Sequence, residues 1–234
     1  MAVSLTVLTG AGISTDSGIP DYRGPQGLWR EDPDNELLVT YDYYVADPEI
    51  RRRSWLARQA NPAWNAEPNV AHRALAARPD TWIVTQNVDR LHQRAGSPSN
   101  RVLELHGNMV EAVCIECGAG STTQQALDRL AAGDPDPRCV GCGGILKTAT
   151  VMFGQLLDES VLVQASAAAR AAEVFVAIGT SLQVHPAAGL VDLAARAGAR
   201  IVIVNAEPTP YDDLADEVIR EPIGEAVPAL LSRL

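Results

Sequence analysis

The run Trp82-Ile83-Val84-Thr85-Gln86-Asn87-Val88-Asp89 decides how the chain is read. Its first half is apolar and β-branched, as suits a strand buried on both faces, and its polar half begins where that strand stops. The arrangement returns at Arg101-Val102-Leu103, followed by Glu104-Leu105-His106-Gly107-Asn108. In open α/β sheets, polar groups that follow a buried strand lie in the crevice at the carboxyl ends, where ligands bind. Of the four histidines in the chain, only His106 is placed this way. That position suits a general base, with Asn87 and Asp89 holding the molecule on which it works.

Outward from this stretch the same grammar repeats. Residues 3–9 form an apolar strand that ends in Thr9-Gly10-Ala11-Gly12-Ile13-Ser14-Thr15. Glycines at 10 and 12 let a backbone approach a pyrophosphate, and a helix starting near Ser14 would turn its N-terminus toward the charge. The third glycine of the dinucleotide fingerprint is replaced by Thr15, so a ligand-free strand-to-helix turn fits this segment too. Val174-Phe175-Val176-Ala177-Ile178 leads into Gly179-Thr180-Ser181, and Ile201-Val202-Ile203-Val204 into Asn205-Ala206-Glu207. About six parallel strands alternating with helices predict a doubly wound α/β sheet. Glu207 takes the place of the ribose-binding carboxylate if a nucleotide crosses the crevice in the opposite sense. His72 and His92 fall within helices and read as structural, and Arg51-Arg52-Arg53 as a solvated helix face.

The four cysteines form two pairs, Cys114-x2-Cys117 and Cys139-x2-Cys142, with 21 residues between the pairs. Two such knuckles beside glycines suggest one tetrahedral zinc with no open position for water; two disulfides or unrelated thiols are the other readings. A net charge of −10 argues against direct nucleic-acid binding and against attraction to anionic membranes. No apolar run approaches the roughly 20 residues of a membrane span, and the N-terminus reads as a strand, so a soluble, cytoplasmic protein is expected.

Taken together, Gly10-Ala11-Gly12-Ile13-Ser14, Gly18-Ile19-Pro20-Asp21-Tyr22-Arg23, Thr85-Gln86-Asn87-Val88-Asp89, Leu105-His106-Gly107, the cysteine pairs, Phe153-Gly154, Gly179-Thr180-Ser181 and Asn205-Ala206-Glu207 resemble the sirtuins, NAD-dependent protein-lysine deacylases. The resemblance runs over essentially the whole chain. Arg51-Arg52-Arg53-Ser54-Trp55 and Cys142 to Lys147 look most like the class that includes a mitochondrial sirtuin with broad acyl-removing and ADP-ribosylating reports.

The resemblance implies a Rossmann-like NAD-binding domain from 1–30, 70–110 and 148–234. A small domain would combine a helical insert, 31–69, with a structural zinc module, 111–147. It implies that NAD is consumed as co-substrate: the acyl group of a lysine passes to ADP-ribose, and nicotinamide is released. His106 would be the base on a ribose hydroxyl. Asn87 and Asp89 would bind the nicotinamide end and Gln86 the adjoining ribose. Gly10, Ala11, Gly12, Asp21, Tyr22 and Arg23 would line the phosphates and reactive sugar, and Gly179, Thr180, Ser181, Asn205, Glu207 and Ile223 the adenosine half. Val151, Phe153 and Gly154 would pair with an acyl-lysine protein substrate as an added strand. Gln155 stands where the family often has Glu, and the Tyr/Arg pair that selects acidic acyl groups has no clear match. Mono-ADP-ribosyl transfer, a non-catalytic zinc and nucleotide module, and hydride transfer are the rival readings.

Overall fold

The computed structural model describes residues 3–21 and 33–234. Its frame is a six-stranded sheet built from β1 (Leu5–Thr9), β2 (Trp82–Thr85), β3 (Val102–Glu104), β7 (Val174–Ile178), β8 (Arg200–Val204) and β9 (Glu217–Ile219), in the order β3-β2-β1-β7-β8-β9. Every pairing is parallel. The expected doubly wound sheet is therefore present, with its order reversing between β1 and β7.

Register matters more than order. Glu104 pairs with Thr85, Thr85 with Thr9, Thr9 with Ile178, Ile178 with Val204, and Val204 with Ile219. The strands thus end in one level row, and Gly10, Gln86, Leu105, Gly179 and Asn205 follow just beyond it.

Alternate side chains on these strands feed two cores, because successive strand residues point to opposite faces. Leu8, Phe175, Ala177, Ile201 and Ile203 pack on the helices Glu159–Ala171 and Gly189–Arg196. Val7, Val176, Ile178, Val202 and Val204 pack on Val70–Ala76 and Ile223–Ser232. No helix among the described residues is long and apolar enough to cross a membrane.

The smaller part is an antiparallel sheet of β5 (Gly120–Thr122), β4 (Gly107–Cys114) and β6 (Leu146–Thr150), with the helix Thr123–Ala131 at its side. Trp55, on the helix Pro48–Gln59, fills the core of this module beside Ala112, Cys114, Leu127 and Leu146.

The same helix corrects one expectation. Arg51 does not lie on a solvated face: only 2% of its side chain is exposed. Its guanidinium grips both carboxylate oxygens of Asp136 and donates to the carbonyls of Tyr44 and Val45. Basic triplets usually face water; here the residue one step from Ile50 falls on the packed side, and Asp136 arrives from the module opposite. Arg52 keeps the expected exposure and pairs with Glu49 on its own helix.

Breaking a buried ion pair from one side costs about 3 kcal/mol or more. Arg51→Met should therefore lower the urea midpoint clearly, whereas Arg52→Ala should leave it unchanged, as equilibrium unfolding would measure.

Candidate functional site

The site is assembled where the level strand ends meet the turn glycines. Gly10 N–H donates to the Ile178 carbonyl, and Gly12 N–H to that of Gly179, at 3.0 and 2.9 Å. A Cβ on Gly10 would lie 2.7 Å from the Gly179 oxygen, and one on Gly179 (φ +59°) would lie 2.4 Å from the Ile13 nitrogen. These glycines let the two loops at the switch point lie backbone against backbone.

After Gly10 the chain forms a 3-10 helix, Ala11–Ser17, in place of the helix expected to start near Ser14. The Gly12 amide is already spent on Gly179 and the Ile13 amide reaches back to the Gly10 carbonyl, which tightens the turn to three residues.

Ser14 is the hub that the sequence did not single out. Its hydroxyl donates to Asp89 Oδ2 at 2.7 Å and accepts from Asn87 Nδ2 at 3.2 Å, while Asn87 Nδ2 also reaches the Gly10 carbonyl at 3.0 Å. Asp89 is buried, and its Oδ1 accepts the Leu91 N–H. Burial raises its pKa, against the pull of these two donors. Gln86 Nε2 donates across the switch point to the buried Thr180 hydroxyl at 3.0 Å. Asn87, Asp89, Gln86, Thr180 and the glycines therefore converge.

His106 is held from both sides. Its ring Nδ1 lies 3.0 Å from the Gln86 carbonyl, and its own carbonyl accepts the Val151 N–H at 2.8 Å. A carbonyl only accepts, so Nδ1 carries the proton and Nε2 keeps its lone pair. Burial lowers the ring's pKa, and the Gln86 carbonyl offsets part of that shift.

Immediately after His106 the backbone turns left-handed at Gly107 (φ +68°), where a Cβ would lie 1.9 Å from the Ala149 oxygen. No other residue fits between His106 and the small module.

The remaining expected residues are spread along the rim. Ser181 is half-buried beyond Thr180, and Ile223 opens the last helix. Asn205 Nδ2 donates to the Glu207 carbonyl, and Arg220 braces both carbonyls, while Glu207 itself is exposed. Ala11 starts the 3-10 helix, and Asp21 is half-buried at the end of its described segment. Tyr22 and Arg23 lie outside the described residues.

Phe153 exchanges backbone hydrogen bonds with Val39 and Tyr41, and the residue is 37% exposed. Gly154 follows in a left-handed turn (φ +89°), and the Gln155 side chain folds back to accept the Met152 N–H. A groove of about 750 Å³, lined by Val151, Gln155 and Lys147 among others, runs alongside.

The four cysteines are free thiols, and their sulfurs all lie within 4.8 Å of one another. Cys114 and Cys142 are 3.5 Å apart, Cys117 and Cys139 3.8 Å. A tetrahedral zinc with bonds of about 2.3 Å requires sulfur separations of roughly 3.8 Å, so the set fits that ion and neither disulfide pairing. Left-handed Gly118 and Gly143 follow the second cysteine of each knuckle (φ +71° and +74°), folding the knuckles in the same way.

Fold and site together define a Rossmann-like α/β protein with a four-cysteine module inserted directly after His106. The profile of the Sir2 family matches residues 10–186. An NAD-dependent protein deacetylase 2 of Streptomyces coelicolor is 61% identical over 98% of this chain and 97% of its own length. A counterpart from Pyrobaculum aerophilum is 46% identical over 97% and 88%. Among solved structures, a Sir2 protein with a deacetylated p53 peptide and 3′-O-acetyl ADP-ribose superposes with a TM-score of 0.89 at 36% identity, covering 99% of this chain and 94% of that one. Another, with a p53 peptide and NAD+, gives 0.86 at 35%, covering 99% and 93%. The chain belongs to the Sir2 family.

Because thiolate-bound zinc is coupled to folding, stripping the metal with a strong chelator should lower the melting temperature. Cys142→Ser should lower bound zinc, measured by atomic emission, well below one per chain.

Proposed function

We propose that the chain is an NAD-dependent protein-lysine deacetylase, which moves the acyl group of a modified lysine onto ADP-ribose and releases nicotinamide. The observation that carries this reading is the state of His106. Its Nδ1 proton is committed to Gln86, so Nε2 is the free base. The lowered pKa keeps that base unprotonated at neutral pH, as proton abstraction from a ribose hydroxyl requires. The two relatives named as deacetylases, and the Sir2 structures with peptide and either NAD+ or acetyl ADP-ribose, support the same substrates here.

Each group then has a task. Asn87 and Asp89, tied together through Ser14, hold the nicotinamide end in a fixed orientation. Gln86 presents its carbonyl to the His106 ring and its side chain to Thr180, so ribose and base are positioned by one residue. Gly10, Ala11, Gly12, Asp21, Tyr22 and Arg23 surround the phosphates and reactive sugar, and Gly179, Thr180, Ser181, Asn205, Glu207 and Ile223 the adenosine half. Val151, Phe153 and Gly154 take the peptide, beside the groove over β4 and β6. A zinc ion on Cys114, Cys117, Cys139 and Cys142 supplies a cross-link and no open coordination site.

Incubation with nicotinamide-labelled NAD tests the proposal. Release of label that depends on an acetyl-lysine peptide, with free lysine formed in equal amount, is expected; ADP-ribose attached to protein with every acyl peptide intact would overturn it. His106→Ala should still bind NAD while turnover falls by about 10²-fold or more.

The pH profile has a defined sign. Burial disfavours the imidazolium, so the acid limb of kcat/KM for NAD should fall below pH 6.5, the ring's ordinary value. An acid limb above that value would count against His106 as the base.

A further inference from the structure

Behind the site lie two histidines for which the reaction has no use. His72 and His92 are 0% and 2% exposed, and their rings meet edge to face with centroids 4.9 Å apart. Burial, chiefly, lowers their pKa values to about 4 and about 3, so both are neutral at neutral pH. His72 Nδ1 lies 3.0 Å from Oδ1 of Asn69, the residue that caps its helix. Among the described residues, His72 Nε2 and His92 Nδ1 are buried without a hydrogen-bond partner. Such burial is unfavourable, and an apolar residue would fill the space without it.

The remaining nitrogen of His92 points to why a histidine stands there. His92 Nε2 is 2.9 Å from Thr9 Oγ1. The Thr9 hydroxyl donates to Thr85 Oγ1 at 2.9 Å, and Thr85 Oγ1 accepts the backbone N–H of Asn87 at 3.0 Å. Thr9 has a single proton and directs it at Thr85, so its oxygen accepts from His92, which must carry its proton on Nε2. Thr9 and Thr85 are themselves buried, at 0% and 3% exposure, so water does not compete for these bonds. They are also register partners at the ends of β1 and β2, which brings their hydroxyls together on one face. The result is one continuous line from the helix Leu91–Arg94 to the first turn of the catalytic loop.

We propose that His92 is a positioning residue: through Thr9 and Thr85 it fixes the backbone of Asn87, and with it the carboxamide that meets the nicotinamide end of NAD. This rests on the role given to Asn87 above. His92 never touches substrate. It supplies a donor that an apolar residue cannot, and it stops the Thr9 and Thr85 hydroxyls from turning away from the Asn87 amide. Without it the Asn87 N–H loses its fixed acceptor, while the Gln86 carbonyl stays bound to His106 and the side-chain bonds to Gly10 and Ser14 remain.

The test compares His92→Leu, His92→Gln and Thr85→Val by two readouts: hydrogen exchange at the Asn87 amide, and kcat/KM for NAD. Glutamine places an N–H near the original Nε2; leucine does not. His92→Leu and Thr85→Val should each speed Asn87 exchange about tenfold and lower kcat/KM about tenfold, and His92→Gln should recover most of both. The double variant should be no worse than either single one, since both cut the same line. Additive losses, or equal behaviour of leucine and glutamine, would reduce His92 to a packing residue and overturn the proposal. Should His92→Leu fail to fold, the near-isosteric Thr85→Val decides alone: unchanged exchange at Asn87 refutes the relay. Asn87→Ala is the control for the underlying reading. Normal turnover in that variant would refute the role of Asn87, whereas the exchange measurement judges the relay independently of activity.

Discussion

The close approach of the Gly10–Gly12 turn to Gly179, at the reversal of strand order, is the contact on which the rest depends. Parallel strands that end level deliver their loops to one place, and those loops can share it only where Cβ atoms are missing. Glycine in such a turn is usually explained by a phosphate that must come near. Here the nearest neighbour is another stretch of backbone, and any phosphate would meet loops already locked together. That locking brings Gln86 to Thr180 and Asn87 to Gly10, across three neighbouring strands.

The polar network around His106 is built largely from neutral donors and acceptors. Asp89 is its buried carboxylate, and its oxygens are met by the Leu91 amide and the Ser14 hydroxyl. Buried cations gather instead at and within the small module, where Arg51 of the helix Pro48–Gln59 is paired with the module's Asp136 and Lys147 donates to the carbonyls of Thr148 and Thr150. Burial and the nearby Arg58 push the Lys147 pKa down to about 8. The separation suits both parts. A neutral base works best where no carboxylate lies close enough to raise its pKa, and a module with a modest apolar core gains cohesion from charge-assisted hydrogen bonds.

Much of this was legible in the chain because strands announce themselves by apolar runs and their ends by abrupt polarity. The sheet, His106, Gln86-Asn87 and Gly179-Thr180 were found that way, and the cysteine pairs by their spacing. Three features were not. Ser14 sits inside a recognised motif, but nothing local says that its hydroxyl joins Asn87 to Asp89, residues more than seventy positions away. Arg51 shares a triplet with Arg52, and only the arrival of Asp136 from the opposite module separates their fates. The 3-10 turn after Gly10 is dictated by a bond to Gly179, a long-range partner that no window of sequence contains. Periodicity reports what a segment buries; it does not report which distant segment will supply the partner.

The junction at Gly107 has a consequence for how the chain tolerates change. Gly107 and Thr150, the first and last residues of the module's sheet, are paired neighbours in adjacent strands. Everything from one to the other leaves and re-enters the large sheet through a gap one strand spacing wide, roughly 5 Å. A segment whose ends are already stapled together can lengthen, shorten or exchange its outer loops without altering the distance its host must span. The module behaves as a cassette: its outer loops are free to diversify, whereas Gly107, pressed against Ala149, and Thr150, one residue before the Val151 N–H that meets the His106 carbonyl, are not.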